Sequence, residues 1–206
     1  MKKIQYLLMF VLAIVLLATT LISPAALADS GKNTPTVAQQ QLLSQLQSAK
    51  DPNAFYTSLT PAKQAALNQM LVVTSVTATQ VPTLGNSLSA VATMGGISTF
   101  TIIVQGKNVF GVVCWSYSQS VRRGWNGTII TVADYPVILG KCSWPGWRYE
   151  GIYTVSTGGG IGRTQYSCYS QGHFTYGIGG WDIQHCYPWI SMTFYGNGQA
   201  SWSYHS

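Results

Sequence analysis

Val121-Arg122-Arg123-Gly124-Trp125-Asn126-Gly127-Thr128-Ile129-Ile130-Thr131-Val132 is the stretch whose reading decides the fold. Branched and aromatic residues occupy both ends, and an Asn-Gly pair sits between them. That pair is a two-residue hairpin signal, because both central residues of such a turn take positive φ. The stretch therefore reads as strand, tight turn, strand. Along a strand over 119–125 side chains alternate, so Arg122 and Arg123 are expected on opposite faces.

Working outward, the period is two from Ile97 onward. Strands are expected over 98–105, 109–118, 119–125, 128–134, 149–156, 163–170, 173–178, 189–195 and 199–205. Gln105-Gly106-Lys107-Asn108 is expected to close the first hairpin, and Gly196-Asn197-Gly198 the last. Many short strands at this spacing indicate a sandwich or a barrel rather than an α/β sheet. The expected fold is mainly β: a disulfide-stapled antiparallel β-sandwich, or small barrel, over 97–206, preceded by a short helical hairpin.

The hairpin is read from two start signals. Thr34-Pro35 and Thr60-Pro61 each place an N-cap before a proline at the first helical position. After the first, Ala38, Leu42, Leu46 and Ala49, with Leu43 beside them, form one apolar stripe opposite a glutamine-rich face. After the second, Ala62, Ala66 and Met70 do the same, flanked by Leu67 and Leu71. A short helical turn through Phe55 and Leu59 lies between them. Residues 35–73 are thus expected to be helical, and each stripe must be buried to be stable in water. Residues 74–96, rich in Thr, Val, Ser and Ala with a Gly95-Gly96 pair, read as a linker, with one strand near 72–78.

The N-terminus has the three parts of an export signal. Lys2 and Lys3 precede an apolar run from Ile4 to Ile22, and Ser23-Pro24-Ala25-Ala26-Leu27-Ala28 carries an A-x-A-type cleavage site. Residues 1–28 are expected to be a signal peptide and 29–34 a polar leader. The rival reading is a membrane anchor, since about 20 apolar residues span a bilayer. The expected localisation is extracellular. The sequence has 206 residues and a net charge of +6 with five acids. A polar surface in so acid-poor a chain must come mainly from Ser, Thr, Gln, Asn, Gly and Tyr.

Cys114, Cys142, Cys168 and Cys186 all lie in the β region. Behind an export signal they are expected to pair as disulfides, with Cys114–Cys142 and Cys168–Cys186 favoured because sequential loops close at the smallest entropic cost. No C-x-x-C is present, so neither a zinc ribbon nor a redox motif is indicated.

The β region also holds all seven tryptophans and ten of the twelve tyrosines. Most must pack across strands, and the surplus must reach the surface. Surface rings offer a stacking platform for sugars at small entropic cost. Ser143-Trp144-Pro145-Gly146-Trp147 reads as a type II turn with a ring at each end, next to Tyr149. Two further groups are Gly179-Gly180-Trp181-Asp182 and Tyr187-Pro188-Trp189. Trp144, Trp147, Tyr149, Trp181 and Trp189 are the candidate ligand-binding residues.

Catalytic chemistry has little to work with. Asp134, Glu150 and Asp182 are the acids of the β region, and His173, His185 and His205 its histidines. Any three acids yield a glycosidase-type pair on paper, and no G-x-S-x-G is present. Asp182, His185 and His173 lack the spacing of a metal motif. No catalytic residue, metal or cofactor is assigned. Gly158-Gly159-Gly160-Ile161-Gly162 precedes a strand rather than a helix, so it is a hairpin loop and not a phosphate cradle. The basic residues form no phosphate-tracking stripe, and nucleic acid is not an expected partner. Asn126-Gly127-Thr128 also matches an N-glycosylation acceptor.

The leading expectation is a secreted, non-enzymatic binding or envelope-associated module that recognises an extracellular polysaccharide or cell-envelope polymer through surface aromatics. The alternatives are an extracellular glycan hydrolase and a membrane-active, toxin-like protein. Membrane contact is expected only from an uncleaved N-terminal segment or in that last case.

Overall fold

The computed structural model describes residues 36–81 and 95–206. The export signal, the polar leader and Thr34-Pro35 lie outside the described residues, as do residues 82–94. Three helices come first. Helix α1 (Val37–Ser48) begins two residues later than Pro35 implies, because Thr36 and Gln39 cap it reciprocally: Gln39 N donates to Thr36 Oγ1 and Thr36 N to Gln39 Oε1. Helix α2 (Pro52–Ser58) starts on Asp51, whose carboxylate accepts from the Asn53 and Ala54 amides. Helix α3 (Pro61–Leu71) starts at Thr60-Pro61, as its sequence implies. Among the described residues, no helix is long and apolar enough to cross a membrane.

The remainder is β. The strands are β1 (Val73–Val81), β2 (Gly96–Asn108), β3 (Val113–Trp125), β4 (Ile130–Ala133), β5 (Val137–Cys142), β6 (Trp147–Gly159), β7 (Gln165–Ile178), β8 (Trp181–Cys186), β9 (Trp189–Tyr195) and β10 (Ala200–His205). They form two antiparallel five-stranded sheets. In the first, β1, β2 and β3 are neighbours, and β4 and β5 share the far edge of β3. In the second, β6 lines one edge of β7, and β8 and β9 share the other, with β10 outside β9.

The two sheets repeat one plan. A long central strand has an unbroken partner on one side and a partner broken in two on the other. Both breaks carry the same dipeptide, Tyr135-Pro136 and Tyr187-Pro188. Proline has no backbone N–H to give to a ladder, so the strand stops and restarts there.

Between the sheets lie Phe100, Ile102, Val104, Trp115, Tyr117 and Val121 from the first and Tyr166, Phe174, Tyr176, Ile190, Met192 and Phe194 from the second. Trp115 stacks on Phe174 at 4.8 Å between ring centroids. Gly106 lies flat beneath the Trp115 indole, where any Cβ would collide with the ring.

The helices belong to this same core. Leu43, Leu46, Leu67, Met70 and Leu71 join the buried cluster. They close the end of the sandwich where β2, β5 and β7 finish and β3, β6 and β8 begin. Buried Asn108 donates to the Met70 carbonyl at 2.7 Å, and the Trp147 indole N–H donates to the Leu71 carbonyl at 3.0 Å. The buried face of α3 is Leu67, Met70 and Leu71 rather than the alanine stripe.

Several expectations are corrected. The strand expected near 72–78 is present as β1 and runs on to Val81, three residues further into the expected linker. The first hairpin turns at 109–112 rather than at 105–108, because the Asn108 side chain accepts from the Phe110 and Val112 amides and organises the turn. The Asn126-Gly127 connection is also longer than two residues. Asn126 Oδ1 accepts from the Thr128 and Ile129 amides, and Trp125 pairs with Ile130.

The expected disulfide staples are not formed, and Cys114, Cys142, Cys168 and Cys186 are all free thiols. Strand geometry explains why the favoured pairs do not meet. Cys142 stands in register with Trp115, and Cys114 falls one residue away at a bulge of β3, where Gly106 pairs with Trp115 and Lys107 with Val113. Cys186 stands opposite Phe174, six residues along β7 from Cys168, a separation of about 20 Å at about 3.3 Å per residue. Cys168 instead accepts from Gln119 Nε2 at 3.0 Å.

Burial pushes the Cys114 thiol up to about 12 and Cys142, Cys168 and Cys186 up to about 11. They are neutral at ordinary pH. Unfolding lets them ionise near their usual value of 9.0, so their stabilising contribution is full below that pH and fades as pH rises from 9 toward about 11. Thermal melts are expected to fall over that window, and native thiols to alkylate far more slowly than those of the denatured chain. Four thiols reacting equally fast in both states would contradict this burial.

Candidate functional site

The outer face of the second sheet carries the site. Alternation along β7 sends Tyr166, Cys168 and Ser170 inward and Tyr169, Gln171 and His173 outward. On β9, Ile190 and Met192 point in while Trp189 and Ser191 point out. Register then assembles the face. Trp189 stands opposite Gln171 on one side and His205 on the other, and His185 stands opposite Thr175.

The rings on this face form two contiguous groups. Tyr169, Trp189 and His205 are the first: the Trp189 centroid is 5.9 Å from Tyr169 and 6.2 Å from His205, at interplanar angles of 36° and 15°. The second runs Tyr153, Tyr187, His173, His185. Tyr187 lies nearly parallel to His173 at 4.5 Å and meets Tyr153 edge-on at 5.5 Å. The Tyr187-Pro188 break between β8 and β9 is what brings Tyr187 over His173. Gln171 ties the break down by donating to the Tyr187 carbonyl at 3.1 Å.

Between these groups and the edge of β1 runs an open groove of about 550 Å³. Its walls include Gln171, Gln184, His185, Tyr187, Trp189 and His205, with Val73 to Val76 opposite. Gln184 fixes the spacing of the two walls, accepting from Val73 N at 2.9 Å and donating to Val73 O at 3.1 Å. Among the described residues, no Asp or Glu side chain lines the groove. All three histidines of the sequence lie on this one face.

The five residues singled out from sequence do not share one surface. The Trp144-Pro145-Gly146-Trp147 turn forms, with Gly146 at φ +85° and Trp147 N donating to Trp144 O at 3.3 Å. It turns Trp147 inward, however, to 5% exposure, where it stacks on Tyr176. Trp144 is half-buried against the core, and Tyr149 packs on Phe174 at 4.9 Å between the sheets. Trp181 is 79% exposed at the β7–β8 turn. It borders a separate cleft of about 390 Å³ with Arg148 and Asp182. Only Trp189 stands on the histidine-rich face.

Sequence reading passed over Tyr169, Gln171 and Tyr153. The first two, with His173, occupy alternate positions of one strand. That signal was hidden by reading 163–170 and 173–178 as separate strands. Strand β7 runs without a break from Gln165 to Ile178, through Gly172. Its missing Cβ admits the Tyr117 ring, which would lie 2.6 Å from such an atom.

The acids are committed elsewhere. Asp134 pairs with Arg122 at 3.3 Å, while Glu150 and Asp182 both pair with Arg148, at 3.2 and 2.8 Å. These are exposed pairs and contribute little to stability. Arg123 does face away from Arg122. It is buried over the Phe100, Trp125 and Phe194 rings and donates to the Gln199 carbonyl at 3.0 Å. Desolvation lowers it to about 10, so it remains a cation at neutral pH. No family model, curated protein or solved structure matches this chain.

Proposed function

We propose that this chain is an exported, non-catalytic module that binds an extracellular polysaccharide along the outer face of its second sheet. The observation that carries the reading is the contiguous Tyr169, Trp189 and His205 rings, set on paired strands beside an open groove. Sugar rings present apolar C–H faces and equatorial hydroxyls. Flat rings held by a rigid ladder suit the faces, and Gln171, Gln184, Ser191 and Ser203 beside them suit the hydroxyls. A groove with no Asp or Glu side chain among its described lining residues suits an uncharged glycan and lacks the paired acids of a hydrolase. Export is supported by the charged, apolar and small-residue segments of residues 1–28.

Pull-down on insoluble cell-wall and plant polysaccharides tests the proposal. The wild-type chain is expected to be retained on at least one of them. Trp189→Ala combined with Tyr187→Ala is expected to lose that retention while keeping the wild-type thermal transition. Retention on no polysaccharide, or equal retention of the double variant, would end the proposal.

A further inference from the structure

We propose that His173 and His185 form a two-histidine site for a divalent transition-metal ion, Cu²⁺ or Zn²⁺. His173 Nε2 and His185 Nδ1 are 3.1 Å apart. Two imidazole nitrogens at about 2.0–2.1 Å from one ion stand about 2.9 Å apart at a right angle and about 3.4 Å apart at the tetrahedral angle. The observed separation falls inside that interval, so both ligands are spaced for one metal without movement of the backbone.

The pair is also held in place. His185 is opposite Thr175 in the β7–β8 ladder, and His173 lies two residues before Thr175 on the same face, which makes the histidines diagonal cross-strand neighbours. Tyr187 stacks on His173 at an interplanar angle of 8° and restrains its ring. Buried Thr175 places its hydroxyl 3.3 Å from both nitrogens and forms the floor. Ligands on paired strands keep their geometry better than ligands on loops.

The donor set selects the ion. Two neutral imidazoles suit borderline ions such as Zn²⁺ and Cu²⁺, whereas Mg²⁺ and Ca²⁺ require oxygen ligands. Glu150 and Asp182 are the carboxylates of this part of the sheet, and both are engaged by Arg148. Among the described residues, no group of three or more His, Cys, Asp or Glu side chains converges. Water must therefore complete the coordination, which makes the site open and exchangeable rather than a closed structural one. Without metal, the two rings share an N–H···N hydrogen bond. On binding, the shared proton moves through solvent to the far nitrogen of the same ring, and both imidazoles stay neutral as ligands.

Calorimetric titration of the untagged chain with Cu²⁺, paired with electron paramagnetic resonance, tests the site without any glycan, and so independently of the polysaccharide reading. One Cu²⁺ per chain is expected, with hyperfine structure from two imidazole nitrogens. His173→Ala and His185→Ala are each expected to weaken binding by roughly tenfold or more. His205→Ala is expected to bind as wild type, because that ring stacks on Trp189 away from the pair. No binding by the wild-type chain, wild-type binding by His173→Ala and His185→Ala, or equal weakening in His205→Ala would overturn the assignment.

Discussion

Trp115→Ala is expected to lower the unfolding free energy by about 3–5 kcal/mol, measured by urea denaturation. The indole is fully buried and in contact with both sheets: it stacks on Phe174 and meets Trp147 at 6.5 Å. Gly106 beneath it has no side chain to move into the void. The cavity cannot collapse, so the loss should fall toward the upper part of the range for aromatic-to-alanine changes. A loss below about 1 kcal/mol would mean that the sheets do not close over this ring.

The second large effect is expected from a helix rather than a strand. Leu67→Ala should cost about 2–5 kcal/mol, because Leu67 is fully buried in the cluster that contains Trp115 and Phe174. Val37→Ala, at 70% exposure on α1, should be nearly neutral. The same denaturation experiment separates two roles for the helical segment. If the helices were a removable pro-segment, Leu67→Ala would leave the main transition unchanged. The hydrogen bonds from Asn108 to Met70 and from Trp147 to Leu71 argue for a single cooperative unit.

Much of this architecture was legible from local chemistry. The period of two after Ile97, the Thr60-Pro61 helix start and the Pro-Gly turn at 145–146 are all dictated by residues close in sequence, and all are present. What escaped depended on distant partners. Strand β5, which follows Pro136, is not among the expected strands, because what holds it is distant: Ile138 and Cys142 pair with Gln119 and Trp115 far upstream. Strand β8 begins after Gly179-Gly180, whose φ values of +68° and +86° make a tight turn where the sequence reading saw only an aromatic loop.

Repetition was a further missed signal. Tyr117-Ser118-Gln119 recurs as Tyr169-Ser170-Gln171 at the same spacing that separates the two Tyr-Pro breaks. The two copies point opposite ways. Tyr117 and Gln119 face the core, where Gln119 meets Cys168 and Ser170, while Tyr169 and Gln171 face outward. One repeat thus builds the interior and the other the outer face that bears the groove. A one-residue difference in strand phase suffices for that, because side chains alternate with a period of two.

Cysteine counting misled for a related reason. Loop entropy favours neighbours in sequence, but the register of β5 on β3 and the length of β7 decide which thiols meet. The candidate rings divided in the same way. Trp147 is drawn inward by stacking on Tyr176 and Tyr149 by tilted packing on Phe174, and Trp189 is left outside by the alternation of β9.

Binding at the outer face of the second sheet is tested most directly by nuclear magnetic resonance of the tryptophan indole N–H groups during titration with a soluble oligosaccharide of the polysaccharide retained in pull-down. The Trp189 resonance is expected to shift with saturating, dose-dependent behaviour, while those of buried Trp115 and Trp147 stay fixed. A shift confined to Trp181 or Trp144, with Trp189 unmoved, would contradict the assignment and move the binding surface to another part of the molecule.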